Sequence, residues 1–92
     1  MGRYNVKHIQ DFEVGKLYQL IHLKAWYMYD EKELYHPSNK KILPNDIVLC
    51  VEKPEYSSFH VGYSCKILYR DFVKYIFMSK HSTPNLGWVE FS

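Results

Sequence analysis

Nine tyrosines in a chain of 92 residues, joined by five phenylalanines and two tryptophans, constrain the fold more than any other feature. Aromatic rings suit a pleated strand, where one part of the side chain meets a core and another meets water. The 47% apolar and 24% charged residues are those of an ordinary globular domain rather than a disordered chain. A domain of this size buries roughly 60 to 70% of its unfolded surface, so it needs no metal or disulfide to hold together. The expectation is an all-β chain forming a single domain over residues 1–92, with 1–15 as a lead-in segment and 16–91 as the body.

Twelve Lys and Arg face ten Asp and Glu, a formal charge of +2. No run of five like charges occurs, which excludes both a basic arm and an acidic tail that imitates nucleic acid. The longest clean apolar run, residues 47–51, is far below the roughly 20 residues that cross a bilayer, so no membrane partner is expected. The chain opens without a charged-then-apolar signal segment, so the expectation is a cytoplasmic protein whose Cys50 and Cys65 are reduced thiols rather than a bridge.

Turn-forming residues divide the chain into short strands. Residues 16–23 collect Leu17, Tyr18, Leu20, Ile21 and Leu23 without Gly or Pro and read as a strand buried on much of both faces. Trp26 to Tyr29 offers a second strand. Residues 30–46 are polar and hold Pro37, Ser38, Asn39, Pro44 and Asn45, a long excursion or hairpin with only Leu34-Tyr35 strand-like inside it. Residues 47–52 are the clearest strand, with alternate side chains projecting to opposite faces.

After a polar loop at 53–59, residues 60–64 and 65–69 are strand-like, and a hairpin turning at Arg70-Asp71 leads into 72–78. Leu68, Phe72, Tyr75, Ile76 and Ser79 fall near helical spacing behind a capping Asp71, so a short helix rivals that strand. Val73, Tyr75, Ile76 and Phe77, being β-branched or aromatic, favour the strand. A loop with Pro84 and Asn85 precedes a last strand at 88–91. Five or six short strands in one small domain point to a partly open barrel, because rolling the sheet covers most of its edges.

Three segments carry a family resemblance. They are Phe12-Glu13-Val14-Gly15-Lys16-Leu17-Tyr18-Gln19-Leu20, then Leu43-Pro44-Asn45-Asp46-Ile47-Val48-Leu49-Cys50-Val51-Glu52, and then Lys66-Ile67-Leu68-Tyr69-Arg70-Asp71-Phe72-Val73-Lys74-Tyr75-Ile76. In this order, separated by two loops, they resemble the Src-homology-3-like small barrels that tailed bacteriophages encode. The Leu43 to Leu49 run looks like that family's diverging turn and core strand. The resemblance implies a binding module rather than a catalyst, and a phage accessory protein acting in a bacterial cytoplasm. The chain departs from the barrel's proline-peptide-binding form. Asp30, Glu31 and Glu33 stand in for its acidic loop and Tyr18 or Tyr35 for its groove tyrosines, but His60-Val61 stand where paired tryptophans belong.

The residues themselves argue the same way. His8, His22, His36, His60 and His81 are dispersed, and the two cysteines are 15 positions apart, so no metal-ligand spacing exists and no metal or cofactor is expected. No nucleophile elbow or phosphate-cradling glycine cluster occurs, and no enzyme activity is expected. Trp26, Tyr27, Tyr29, Tyr35, Tyr56 and Phe59 lie in or beside candidate loops, and such rings dominate protein-binding hot spots. These six are the candidate protein-binding residues, for a host or phage protein that the chain binds and modulates, inhibition being one form. A homodimer contact is the plainer use of the same surface. The alternative is a single-stranded nucleic-acid binder, in which Lys66, Arg70 and Lys74 contact phosphates beside stacked bases.

Overall fold

The computed structural model describes residues 6–82 and 87–91. Residues 1–5 of the expected lead-in, residues 83–86 of the loop with Pro84 and Asn85, and residue 92 lie outside the described residues. The chain is all-β, with strands β1 Val6–Lys7, β2 Leu17–Leu20, β3 Trp26–Tyr29, β4 Pro37–Ile42, β5 Ile47–Cys50, β6 Glu55–Ser57, β7 Gly62–Tyr69, β8 Phe72–Ser79 and β9 Trp88–Phe91. One turn of 3-10 helix, Ile9–Asp11, follows β1. All pairings are antiparallel, in the order β1-β9-β2-β5-β7-β8-β3-β4, with β6 attached to β7. The terminal strands β1 and β4 do not pair with each other, so among the described residues the sheet is open. Among the same residues no helix is long and apolar enough to cross a membrane.

The nine strands among the described residues exceed the five or six expected, and the surplus lies where side chains gave little signal. β4 reads Pro-Ser-Asn-Lys-Lys-Ile and buries only Ser38 and Ile42; pairing with β3, not intrinsic propensity, makes it a strand. The strand inside this excursion is therefore not Leu34-Tyr35, since Leu34 takes a left-handed φ of 64° in the connecting turn. β6 lies inside the expected 53–59 loop and is held by three pairs to β7. The short-helix alternative for 71–79 is overturned: β8 pairs residue by residue with β7, from Tyr69 opposite Phe72 to Gly62 opposite Ser79. That ladder also merges residues 62–64 and 65–69 into one strand. β2 stops at Leu20 and buries Tyr18 and Leu20 alone on its inner face, so the two-sided burial expected over 16–23 does not occur; Leu23 is 95% exposed.

Alternation builds the core. Tyr18 and Leu20, Val48 and Cys50, Cys65, Ile67 and Tyr69, and Ile76 and Met78 all turn inward and are buried. An aromatic seam closes one side: Phe12 stacks on Tyr18 at 3.7 Å, and the buried Trp88 meets Phe12 edge-on at 5.7 Å and Trp26 at 5.7 Å. Replacing a ring as enclosed as Trp88 with Ala typically costs about 3–5 kcal/mol. The N-terminal segment is fastened by His8, whose buried ring accepts the Gln10 N–H at Nδ1 and donates from Nε2 to the Ser79 carbonyl at 2.8 Å, which assigns the Nε2–H tautomer.

Two turns shape the entry to β5. Leu43 to Asp46 closes with the Asp46 N–H donating to the Leu43 carbonyl, Pro44 second and Asn45 third at φ 73°, the geometry of a type II turn. The turn is seated on β2: Asn45 N–H donates to the Leu20 carbonyl, and Leu20 N–H to that of Asp46. Asp46 then accepts from the Tyr69 hydroxyl and, at 3.1 Å, from Arg70. This cluster holds the β7–β8 turn, where Arg70 has φ 56°, against the β5 entry.

Burial pushes the Tyr69 hydroxyl above its ordinary range, and its bond to the Asp46 carboxylate pushes the same way. Burial also raises Tyr18 and both cysteines. Each is an acid whose folded pKa lies above its unfolded one, so its stabilisation is complete below the unfolded pKa and is lost as pH rises. Urea unfolding is expected to show stability falling above about pH 8.5, where unfolded thiols ionise, and more steeply above about pH 10, where unfolded tyrosines do. Tyr69→Phe should cost about 1.5–3 kcal/mol at pH 7 and flatten the limb above pH 10.

Candidate functional site

The loop between β3 and β4 bends back over the strand β6. Three contacts make the bend: Asp30 N–H donates to the His36 carbonyl, Leu34 N–H to that of Glu31, and His36 Nδ1 meets the Glu31 carboxylate at 2.6 Å. Lys74 of β8 pairs with Asp30 at 2.5 Å and anchors the loop at its start. From there Lys32 reaches Glu55 of β6 at 2.8 Å, and the Glu33 carbonyl lies 2.9 Å from His60 Nε2 in the turn after β6. The hydrogen bond to Glu55 also holds the Lys32 ammonium above its ordinary pKa.

Between loop and strand lies an open cleft of about 420 Å³. Its walls carry Tyr35 from the loop, Tyr56 from β6 and Phe59 from the following turn, and the buried Ser64 of β7 lines it as well. These rings are 66%, 48% and 83% exposed, which separates them from rings that merely close a core. Tyr56 packs edge-on against Tyr63 at 5.2 Å and Phe59 against His60 at 4.9 Å, so each ring has a neighbour behind it and water in front. The rim carries Glu33 and the Lys32–Glu55 ion pair, and the Lys80 ammonium stands 6.0 Å from the Tyr56 ring centroid.

Of the six aromatic residues singled out from the sequence, the structure gathers three here. Trp26 is a core-closing residue: it is half-buried against Trp88, and its indole N–H donates to the Phe77 carbonyl at 3.2 Å. Tyr29 is half-buried on β3 opposite Tyr75 and Pro37. Tyr27 is exposed but belongs to a different surface, with the Lys41 ammonium 4.6 Å above its ring. Tyr18, offered as a groove tyrosine, is fully buried with its hydroxyl accepting the Glu13 N–H at 2.7 Å. Missed altogether were Lys32, Glu55 and Ser64, since nothing in the sequence says that residues 32 and 55 meet.

The three cations singled out do not form a free stripe. Lys66 sits 3.7 Å from Glu52, Arg70 3.1 Å from Asp46 and Lys74 2.5 Å from Asp30. Lys66 lies across from Tyr75 and Lys74 across from Ile67, adjacent rungs of one ladder, so the two lysines project from opposite faces. A second basic surface stands at β4 instead. There Lys40 lies 4.9 Å from the Phe72 ring centroid and Lys41 over Tyr27, and Lys40, Lys41, Leu43, Tyr69, Arg70 and Phe72 border a shallow cleft of about 200 Å³. Among the described residues neither Lys40 nor Lys41 has a carboxylate within ion-pair distance.

The histidines stay apart: His8 is in the core, His22 beside Trp26, His36 on Glu31 and His60 at the cleft. Among the described residues no three His, Cys, Asp or Glu side chains converge as metal ligands would. No protein-family model, no curated protein and no solved structure matches the chain.

The wall of the aromatic cleft ends in backbone strain. Val61, β-branched, takes a left-handed φ of 53° immediately before Gly62. A Cβ on Gly62 would stand 2.4 Å from Phe77 Cζ and 2.6 Å from the Met78 carbonyl oxygen, and the carbonyl cannot swing aside. Urea unfolding is therefore expected to move in opposite directions at neighbouring positions: Val61→Gly raises stability by about 1 kcal/mol by relieving the strain, whereas Gly62→Ala lowers it by about 1–3 kcal/mol.

Proposed function

We propose that this chain is a non-catalytic protein-interaction module whose docking surface is the cleft between the β3–β4 loop and β6. The observation that carries the reading is the convergence of Tyr35, Tyr56 and Phe59, all three exposed, with Tyr56 packed against Tyr63 and Phe59 against His60. Rigid, amphipathic rings bury large area at small entropic cost, which is why tyrosines and tryptophans dominate interface hot spots.

The finer reading is a Src-homology-3-like barrel of the tailed-phage kind, binding and modulating a host or phage protein in the bacterial cytoplasm. Its support is the sequence resemblance together with the run of strands from β9 through β2, β5 and β7 to β8. In that run the β3–β4 excursion follows β2 and a tight hairpin turns at Arg70-Asp71, as in the three resembling segments. Occlusion of the partner's surface is the mechanism this implies, because the exposed rings of the cleft offer contact area.

The test is affinity capture from bacterial lysate with identification by mass spectrometry, followed by titration of the captured protein against purified variants. Wild type should retain a defined partner, and Tyr56→Ala/Phe59→Ala should weaken it at least 10-fold, the least that loss of a hot-spot pair implies. Phe59→Ala alone should leave the urea midpoint unchanged, given how exposed the ring is. Failure to retain any protein, or equal retention by wild type and double variant, would refute the reading.

A second reading is favoured by the shallow cleft beside β4, which Lys40 and Lys41 border, with Lys40 near the Phe72 ring and Arg70, itself paired with Asp46, near that of Tyr69. Cations interleaved with rings suit a single strand of nucleic acid, through phosphate contact and base stacking. Titration of a labelled oligothymidylate would then show an affinity that falls steeply with salt and is reduced by Lys40→Ala/Lys41→Ala. Absence of binding at low salt removes this reading and leaves the first intact.

A further inference from the structure

Cys50 and Cys65 stand with their sulfur atoms 3.6 Å apart, both about 1% exposed. The register explains the approach. Cys50 lies opposite Ile67 on β7, so Cys65 is the next residue on the same inward face. Beyond Cys50 the ladder is irregular, since Glu55 is opposite Ser64, which sets the four residues 51–54 against the two residues 65 and 66. The N–H groups of Val51 and Glu52 converge on the single Lys66 carbonyl, at 3.0 and 3.4 Å. This is a large bulge of four residues against two, and it folds the chain back over the thiols. Both sulfur atoms lie within reach of one acceptor, the Glu52 carbonyl, at 3.3 Å from Cys50 and 3.5 Å from Cys65, and Cys65 is also 3.7 Å from the Lys66 carbonyl.

We propose that Cys50 and Cys65 form an oxidisable dithiol, closing to an intramolecular disulfide that clasps β5 to β7. The oxidant class is a small disulfide such as oxidised glutathione. The Cys50 thiolate attacks one sulfur of the oxidant, the oxidant's S–S bond breaks, and one glutathione thiolate leaves. The Cys65 thiolate then attacks Cys50 Sγ in the mixed disulfide and expels the second. Two protein thiols are oxidised, one oxidant disulfide is reduced, and the two thiol protons end on the two departing glutathione sulfurs.

Two features of the molecule bear on this step. Closing from 3.6 Å to the roughly 2.05 Å of a disulfide asks for side-chain rotation and backbone give, and the bulge is where the ladder is least constrained. Access also runs through the bulge. Its Glu52 and Lys53 are exposed, whereas β7 on the other side is locked to β8 along its whole length. Burial raises both thiols above their ordinary range, which makes the reaction slow in the closed state. The clasp is independent of what the aromatic cleft binds, although Ser64, beside Cys65, lines that cleft.

The experiment equilibrates the full chain with oxidised and reduced glutathione, in buffer and again in urea below the unfolding transition. Acid quenching, alkylation, intact mass and peptide mapping follow. The expected product is a monomer about 2 Da lighter, with neither cysteine alkylated in the denatured chain and a cross-linked peptide joining residues 50 and 65. Its urea midpoint should exceed that of the reduced chain. Cys50→Ala and Cys65→Ala should each leave a glutathione adduct on the remaining thiol instead. The wild-type mass and peptide map decide the matter even if those variants do not fold. Thiols that stay alkylatable in both conditions, products that are only adducts or intermolecular dimers, or a midpoint that falls on oxidation would overturn the proposal.

Discussion

The β7–β8 hairpin is the constraint on which the rest of this molecule depends. Eight consecutive cross-strand pairs hold it in one register, and a shift by a single residue would turn Cys65, Ile67, Tyr69, Ile76 and Met78 out of the core together. Because both faces of that ladder are specified, neighbouring strands inherit their positions from it. β5 and β6 line up along one edge and β3 meets the other through Tyr29 and Tyr75. Asp46 reinforces the arrangement by tying the hairpin turn to the start of β5 through Tyr69 and Arg70.

The edge of β7 shared by β5 and β6 is where regularity ends and the distinctive chemistry begins. Four residues face two across the bulge, so the chain changes direction between Cys50 and Glu55. On the inward side the change encloses two thiols under one carbonyl. On the outward side it carries β6 away from the core, leaving Tyr56 and Phe59 exposed for the β3–β4 loop to lean over. The strained φ of Val61 and the close approach at Gly62 sit at the far end of the same excursion. Such strain persists only where surrounding structure over-determines it, and the ladder that begins at Gly62 supplies that.

The charges follow a similar logic. Lys66, Arg70 and Lys74 look like a basic stripe when read along the chain, but strand alternation and nearby carboxylates disperse and neutralise it. Like Lys80 beside Tyr56, Lys40 and Lys41, in a stretch with little strand character, stand beside aromatic rings without an ion-pair partner among the described residues. Their place on an edge strand that opens with Pro37 also blunts that edge, since proline and lysine both discourage pairing with another chain.

Alternating β-branched and aromatic residues determined the all-β class by themselves. They also marked β3, β5, β8 and β9 closely, and the Pro44-Asn45 and Arg70-Asp71 turns could be read directly, because periodicity and turn chemistry are local properties. What only the tertiary structure decided is what meets what. β4 and β6 became strands because a neighbour presented an unpaired edge. Trp26 went to the core while Phe59 stayed in water because one lies over Trp88 and the other on a turn. The pairings of Lys32 with Glu55 and of Cys50 with Cys65 arise from long-range register, to which no local residue pattern is sensitive.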